Sequence, residues 1–252
     1  MEMWLRALAG APDPLNTHLA HAKGNGLRSL ADVSAVERGG LFANYTKVVF
    51  VRDPWSRALS AYLNKFVQEA PERRRAWRRE LLRPLRALRP SSRLIRLYGD
   101  SDADADGADG GAPLSFEAFV SILEETQRAA AAATRRGGGG ARLPNMNEHW
   151  ATQSDLCGLH TLRYDFVGRH DAGMGRDVIA LGSLLATDAT PPRGEAYGWA
   201  GNGNASRLLA RHFRRREMIR RVAAIYREDV GAPLNGVAWS AREVFGKAWP
   251  AA

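Results

Sequence analysis

Cysteine is almost missing from this chain. Cys157 is the only one in 252 residues, so no disulfide can close within it. Long apolar runs are missing as well: no stretch approaches 18 apolar residues, which excludes a membrane-spanning helix within the given sequence. The N-terminus, MEMWLRALAGAPDP, carries one arginine and a short apolar run, without the charged, apolar and small-residue order of a signal peptide. There is no internal repeat, no zinc-ligand spacing, no aromatic ribonucleoprotein motif and no G-x-x-x-x-G-K-S/T loop. Lysine is scarce beside arginine.

What is present is ordinary in bulk. Hydrophobic residues make up 45% and charged residues 25%, as in a folded soluble protein. The length suits one α/β domain or two small ones, with enough chain to bury a sizeable core. The formal net charge of +9 favours polyanionic partners such as nucleotides, sulfated glycans, nucleic acid or anionic lipid. The abundance of alanine, glycine and arginine fits equally well with a GC-rich coding sequence. Asn44-Tyr45-Thr46 and Asn204-Ala205-Ser206 match the N-glycosylation tripeptide.

Along the chain, residues 1–11 read as a short helix with Trp4, Leu5 and Leu8 on one side. Residues 12–26 are loop around His18 and His21, and 27–38 form a short helix. Lys47-Val48-Val49-Phe50-Val51 is a β-branched apolar run, expected as a strand buried on both faces in a parallel sheet. Asp53-Pro54 then starts a helix, with Asp at the N-cap and Pro at the first helical position. Leu59, Tyr62, Leu63 and Phe66 give that helix a core-facing stripe to about Phe66. Ten arginines lie between Arg73 and Arg96, around Trp77 and with Leu81, Leu82, Leu85 and Leu88 at helical spacing. That pattern is either a solvated amphipathic helix or a track for a polyanion. Residues 99–113 read as an acidic exposed loop, 115–136 as a helix opened by Ser115, and 137–140 as a glycine joint. Tyr164–Gly168 reads as a short strand, 175–186 as a helix, 187–206 as loop and 207–229 as one long basic helix.

The unit richest in chemistry is Val48–Phe66. A strand feeding a helix places backbone N–H groups and the positive end of the helix dipole at the turn. Arg52, at the strand's end, carries a planar guanidinium suited to phosphate. Ser60, two turns into the helix, offers a hydroxyl. On the residues alone, Arg52 either joins Ser60 around an anion, or pairs with Asp53 or caps a neighbouring element.

This segment resembles the 3′-phosphate-binding motif of the Golgi carbohydrate sulfotransferases that sulfate chondroitin, dermatan and the HNK-1 glycan. The shared features are an apolar strand, Arg52-Asp53-Pro54, Trp55, Arg57, Ser60-Ala61-Tyr62 and Asn64-Lys65-Phe66. Further marks follow in the family's order: Phe116-x-x-Phe119-Val120, Asn147-Glu148-His149-Trp150, Leu156-Cys157, Tyr164-Asp165-Phe166-Val167-Gly168, and Ile225-Tyr226 through Asp229. The resemblance runs over roughly residues 4–230. It implies a three-layer α/β fold with a parallel sheet and flanking helices, similar to the nucleotide-kinase-like P-loop fold of sulfotransferases. The expected layout is a single domain over 1–235, with insertions at about 70–113 and 128–143 and a tail over 236–252.

The resemblance also implies an activity: in-line transfer of a sulfuryl group from 3′-phosphoadenosine 5′-phosphosulfate to a glycan hydroxyl, with no metal, in the Golgi lumen. It places Arg52, Arg57 and Ser60 on the nucleotide and makes a glycan or other polyanion the acceptor, with nucleic acid an unlikely partner. A degenerate, non-catalytic nucleotide or polyanion binder is the alternative. An attacked hydroxyl must lose its proton, and a neutral histidine suits that task. The resemblance puts a functional histidine before Arg52, which points to His21, with His18 as a rival. His149 is a second candidate base, or else a buried histidine hydrogen-bonded beside Trp150. Glu148 serves as base or orients His149. Of the family's 5′-phosphosulfate loop only Trp4 and Arg6 stand here, His160 occupies the place of its second cysteine, and no membrane anchor is present. The expectation from these departures is a chain whose true start lies upstream.

Overall fold

The computed structural model describes residues 32–99, 114–135, 146–170, 174–187, 204–231 and 239–245. The expected helix at 1–11, the loop carrying His18 and His21, the glycine joint at 137–140, and nearly all of the acidic loop and of the loop after residue 187 lie outside these residues. The chain divides into two compact units, one of residues 1–51 and 162–203, the other of 52–161 and 204–252.

The first unit holds helix α1 (Ala35–Asn44), strand β1 (Val48–Val51), strand β2 (Phe166–Arg169) and helix α7 (Met174–Leu184). Of the helix expected over 27–38, residues 27–31 lie outside the described residues, and α1 begins at Ala35. Ser34 and Glu37 form a reciprocal capping box, which satisfies two N-terminal backbone donors and fixes the start at Ala35. β1 and β2 pair in parallel, Val48 with Phe166 through Val51 with Arg169. Asp165 anchors the register by accepting from Lys47 N–H (2.7 Å) and pairing with Lys47 Nζ (2.9 Å). This contact holds the Asp165 carboxyl below the usual carboxylate range. Phe50 lies opposite Gly168, and its ring occupies the space a Cβ there would need. Met174, Val178 and Leu181 of α7 form a small core with Val48, Phe50 and Phe166. β1 was expected to be buried on both faces; in fact Val48, Val49 and Phe50 are half-buried and only Val51 is fully buried. Among the described residues the sheet has two strands, so β1 has one hydrogen-bonded neighbour.

The second unit is helical: α2 (Pro54–Tyr62), a π-helical turn (Leu63–Gln68), α3 (Pro71–Leu88), α4 (Arg93–Tyr98), α5 (Phe116–Arg135), α6 (Gln153–Leu156), α8 (Asn204–His212), α9 (Arg216–Ile225), α10 (Arg227–Gly231) and α11 (Ala241–Phe245). The stripe on α2 is buried as expected, with Trp55, Leu59 and Tyr62 inside. The regular helix nevertheless ends at Tyr62, where the Leu63 N–H is shared between the carbonyls of Leu59 and Ser60. The wider π turn carries Phe66 into the core beside Phe119 and Trp150.

α3 lays Leu81, Leu82 and Leu85 against α5, while most of its arginines face solvent. It is therefore built as a solvated amphipathic helix. α5 runs nearly as its sequence indicates and buries Phe116, Phe119, Val120, Ile122 and Leu123. Each such side chain contributes about 1.5–3 kcal/mol by leaving water. The single helix expected over 207–229 is instead three helices. Arg214, Arg215 and Arg216 crowd like charge at the first break. There the chain leaves helical geometry and buries Phe213 against Phe116 and Phe245. α9 then packs on α5 and α2, fastened by a two-pronged ion pair from Arg221 to Glu124 (2.7–3.1 Å).

Candidate functional site

The candidate site is built on the first turn of α2. Asp53 takes the N-cap, its Oδ1 accepting from Ser56 N–H at 2.7 Å, and Pro54 supplies the first helical residue. Arg52, immediately before the cap, is partly exposed. Its backbone is held on both sides by one buried side chain: Gln153 Nε2 donates to Arg52 O (2.7 Å), and Arg52 N–H donates to Gln153 Oε1 (2.8 Å). Ser60 lies two turns along α2 and is likewise partly exposed.

Arg57 stands between them and reaches across the unit. Its Nη1 donates to the carbonyl of Ala151 and its Nη2 to that of Glu148 (2.8 Å). Two of its donors are thus committed to the backbone of the Asn147–Ala151 segment. The same turn is held from the other side by Tyr226, whose hydroxyl donates to Trp150 O (3.0 Å). Asp229, fully buried, accepts from the backbone N–H of Gln153 and of Ser154 (both 2.9 Å) and from Ser154 Oγ (2.7 Å). The Asn-Glu-His-Trp and Ile-Tyr-x-x-Asp elements therefore form a frame around the Arg52 turn. Buried carboxylate and backbone groups satisfy one another throughout that frame.

His149 projects from the framed turn. Its ring meets Trp77 edge-on (5.4 Å between centroids) and lies beside Trp150 (6.4 Å). Lys65, carried on the π turn, sets its ammonium over the Trp77 ring at 4.3 Å. Burial pushes the His149 imidazole below the ordinary histidine range. The Lys65 and Arg57 charges push in the same direction, and Glu148, at 4.0 Å, opposes them. The result favours the neutral form, the form a general base needs. His149 is half-buried rather than sealed in the core, with 37% of its side chain exposed.

The structure thus gathers Arg52, Arg57 and His149 around one framework and places Ser60 on the helix that carries Arg57. His21 lies outside the described residues. Sequence reading overlooked Gln153, and it gave Lys65 and Trp77 no place beside His149. The available signal was modest: Gln153 follows closely on the Asn-Glu-His-Trp element, and Lys65 belongs to the Asn-Lys-Phe end of the phosphate motif.

Cys157 follows α6 and is partly buried; burial pushes its thiol upward. His160 faces Glu228 (Nε2–Oε2 3.2 Å), and with Asp155 these side chains bring three metal-ligating atoms within 4.8 Å of one another at the surface.

A profile of the sulfotransferase family matches residues 10–231. Carbohydrate sulfotransferase 14 of Homo sapiens is 29% identical over 169 residues, covering 66% of this chain and 36% of that protein. Carbohydrate sulfotransferase 11 of Rattus norvegicus is 28% identical over 162 residues, 64% of this chain and 38% of the relative. Carbohydrate sulfotransferase 10 of Mus musculus is 28% identical over 158 residues, 63% and 37% respectively. The match therefore spans little more than a third of the length of these relatives. No solved structure matches the chain.

Proposed function

Because the chain belongs to the sulfotransferase family, we propose that it moves a sulfuryl group from 3′-phosphoadenosine 5′-phosphosulfate to a glycan hydroxyl, as the names of its carbohydrate sulfotransferase relatives suggest. Arg52 and Ser60 hold the donor's 3′-phosphate at the start of α2, where the cap leaves backbone N–H groups and the helix dipole favours an anion. Arg57 keeps the His149 turn against α2. The complete fold is the three-layer α/β sulfotransferase architecture, working in the Golgi lumen.

In the reaction the acceptor oxygen forms a bond to sulfur as the sulfur–oxygen bond to the 5′-phosphate breaks. The electron pair of that bond leaves with adenosine 3′,5′-bisphosphate. The hydroxyl proton passes to a neutral histidine, and among the described residues His149 is the one on the framed turn. His21 is the rival for the same task. Such chemistry depends on positioning and on stabilising charge.

The observation that carries the reading is the two-sided hold on Arg52 at the head of a capped helix, within the family's phosphate motif. Calorimetry tests it. Arg52→Ala should weaken binding of adenosine 3′,5′-bisphosphate far more than binding of adenosine 5′-phosphate. A charge-assisted contact of this kind is worth about 1.5–3 kcal/mol. Equal losses for the two nucleotides would overturn the assignment.

A further inference from the structure

We propose that Gln153 is a positioning residue for phosphate recognition, acting through the backbone of Arg52 and anchored in turn by Asp229. The proposal rests on the reading that Arg52 holds the 3′-phosphate.

Arg52 lies between the last residue of β1 and the cap of α2, so its N–H and C=O belong neither to the strand pairing nor to the helix. Gln153 is 6% exposed and supplies both missing partners at once, at 2.8 and 2.7 Å. The orientation of its amide is fixed by chemistry. A backbone N–H can only donate and a carbonyl can only accept, so Oε1 must face the first and Nε2 the second. Two antiparallel bonds to one residue define the direction of its Cα–Cβ bond far better than either bond alone.

Gln153 is itself prevented from moving. Its own N–H, the N–H of Ser154 and the Ser154 hydroxyl all end on the two oxygens of Asp229, which is completely buried. The line Asp229–Gln153–Arg52 joins positions far apart in sequence through groups that are buried or half-buried. In a low-dielectric interior each bond is costly to leave unmade. A long arginine side chain keeps rotamer freedom in solution, so its selectivity for one phosphate depends on where its stem is planted. A purely structural role would make Gln153 matter for folding and leave nucleotide selectivity untouched. A positioning role makes selectivity fall even in protein that remains folded.

The test uses the full chain. Calorimetry gives the ratio of affinities for adenosine 3′,5′-bisphosphate and adenosine 5′-phosphate, and thermal unfolding is followed in parallel. Gln153→Met keeps the length and neutrality of the side chain and removes both bonds. The expected result is a drop in the affinity ratio of about tenfold, about 1.4 kcal/mol, with adenosine 5′-phosphate binding nearly unchanged. Ser154→Ala removes one bond to Asp229 and should lower the ratio less, in the same direction, in a protein that folds even if Gln153→Met does not. If both variants unfold at lower temperature yet keep the full ratio, while Arg52→Ala loses it, Gln153 is structural only and the inference falls. If Arg52→Ala itself keeps the ratio, the fault lies with the underlying assignment of Arg52.

Discussion

At the scale of single residues, the protonation of His149 follows from its neighbours. Trp77 and Trp150 shield its ring, and Lys65 and Arg57 add positive charge, so its proton is lost at a lower pH than an ordinary histidine's. A base of this kind stays competent below the usual histidine range, and the acid limb of kcat/KM should lie correspondingly low. Removing charges should move that limb in opposite directions. Lys65→Met takes away a positive charge, raises the affinity of His149 for its proton and shifts the limb to higher pH. Glu148→Gln takes away a negative charge and shifts it to lower pH. A pH–rate profile of the two variants decides the point; if both limbs move the same way, or neither moves, His149 is not the titrating base. The same lowered value makes the folded chain less stable in acid. Below about 6.5 the unfolded state takes up a proton at His149 before the folded state does, so this residue's contribution to stability declines as pH falls through that window. The motif that carries Arg52 and Ser60 could be read in the sequence because it is local. The hold of Gln153 on Arg52 could not, because it is a pairing between residues about a hundred positions apart along the chain.

At the scale of elements, local signals proved reliable wherever they were self-contained. Asp53-Pro54 marks the start of α2 to the residue, and Ser115 precedes α5 as its sequence indicates. Asp53 is 4% exposed and caps through a 2.7 Å bond, so Asp53→Ala should cost about 0.5–2 kcal/mol. In a chain of this size that lowers the midpoint of thermal unfolding by a few degrees. Asp53→Asn, which keeps an acceptor in the same place, should retain most of the stability. Equal losses in the two variants would mean that the carboxylate charge, and not the cap, is what matters. Less legible were the points where a helix gives way. Apolar spacing over 207–229 is continuous at the helical period, yet burying Phe213 and separating a run of arginines breaks it after His212. The π turn after Tyr62 also left no mark in the spacing, because Phe66 follows Tyr62 by four residues and simply continues the apolar stripe. What the turn changes is the phase of Lys65, and the gain from that is visible only once Trp77 is in place.

At the scale of the whole molecule, the positive charge is unevenly used. Arg221 is tied to Glu124 and Arg57 to backbone carbonyls, while four of the seven arginines of α3 are exposed. The strands at Val48–Val51 and near Tyr164–Gly168 were each expected from the sequence, while their parallel pairing is a finding of the structure; the wider sheet implied by the family resemblance belongs to the functional proposal. Because the chain contains a single cysteine, thiol chemistry reads one place in it. Cys157 comes directly after the helix that carries Gln153, and its backbone N–H bonds to Gln153 O at 2.8 Å. The thiol is partly buried and holds its proton more tightly than a free one, so an aromatic disulfide reagent should react with it slowly at neutral pH. That slowness is a built-in clock. Labelling should quicken where the segment around Gln153 loosens, and a nucleotide that draws on this segment for its phosphate contact should slow the clock further. Adenosine 3′,5′-bisphosphate should retard labelling more than adenosine 5′-phosphate does; identical retardation by both would separate Cys157 from the phosphate site. The lone thiol thus gives the experimenter a reporter next to the segment that carries Gln153, without a single substitution.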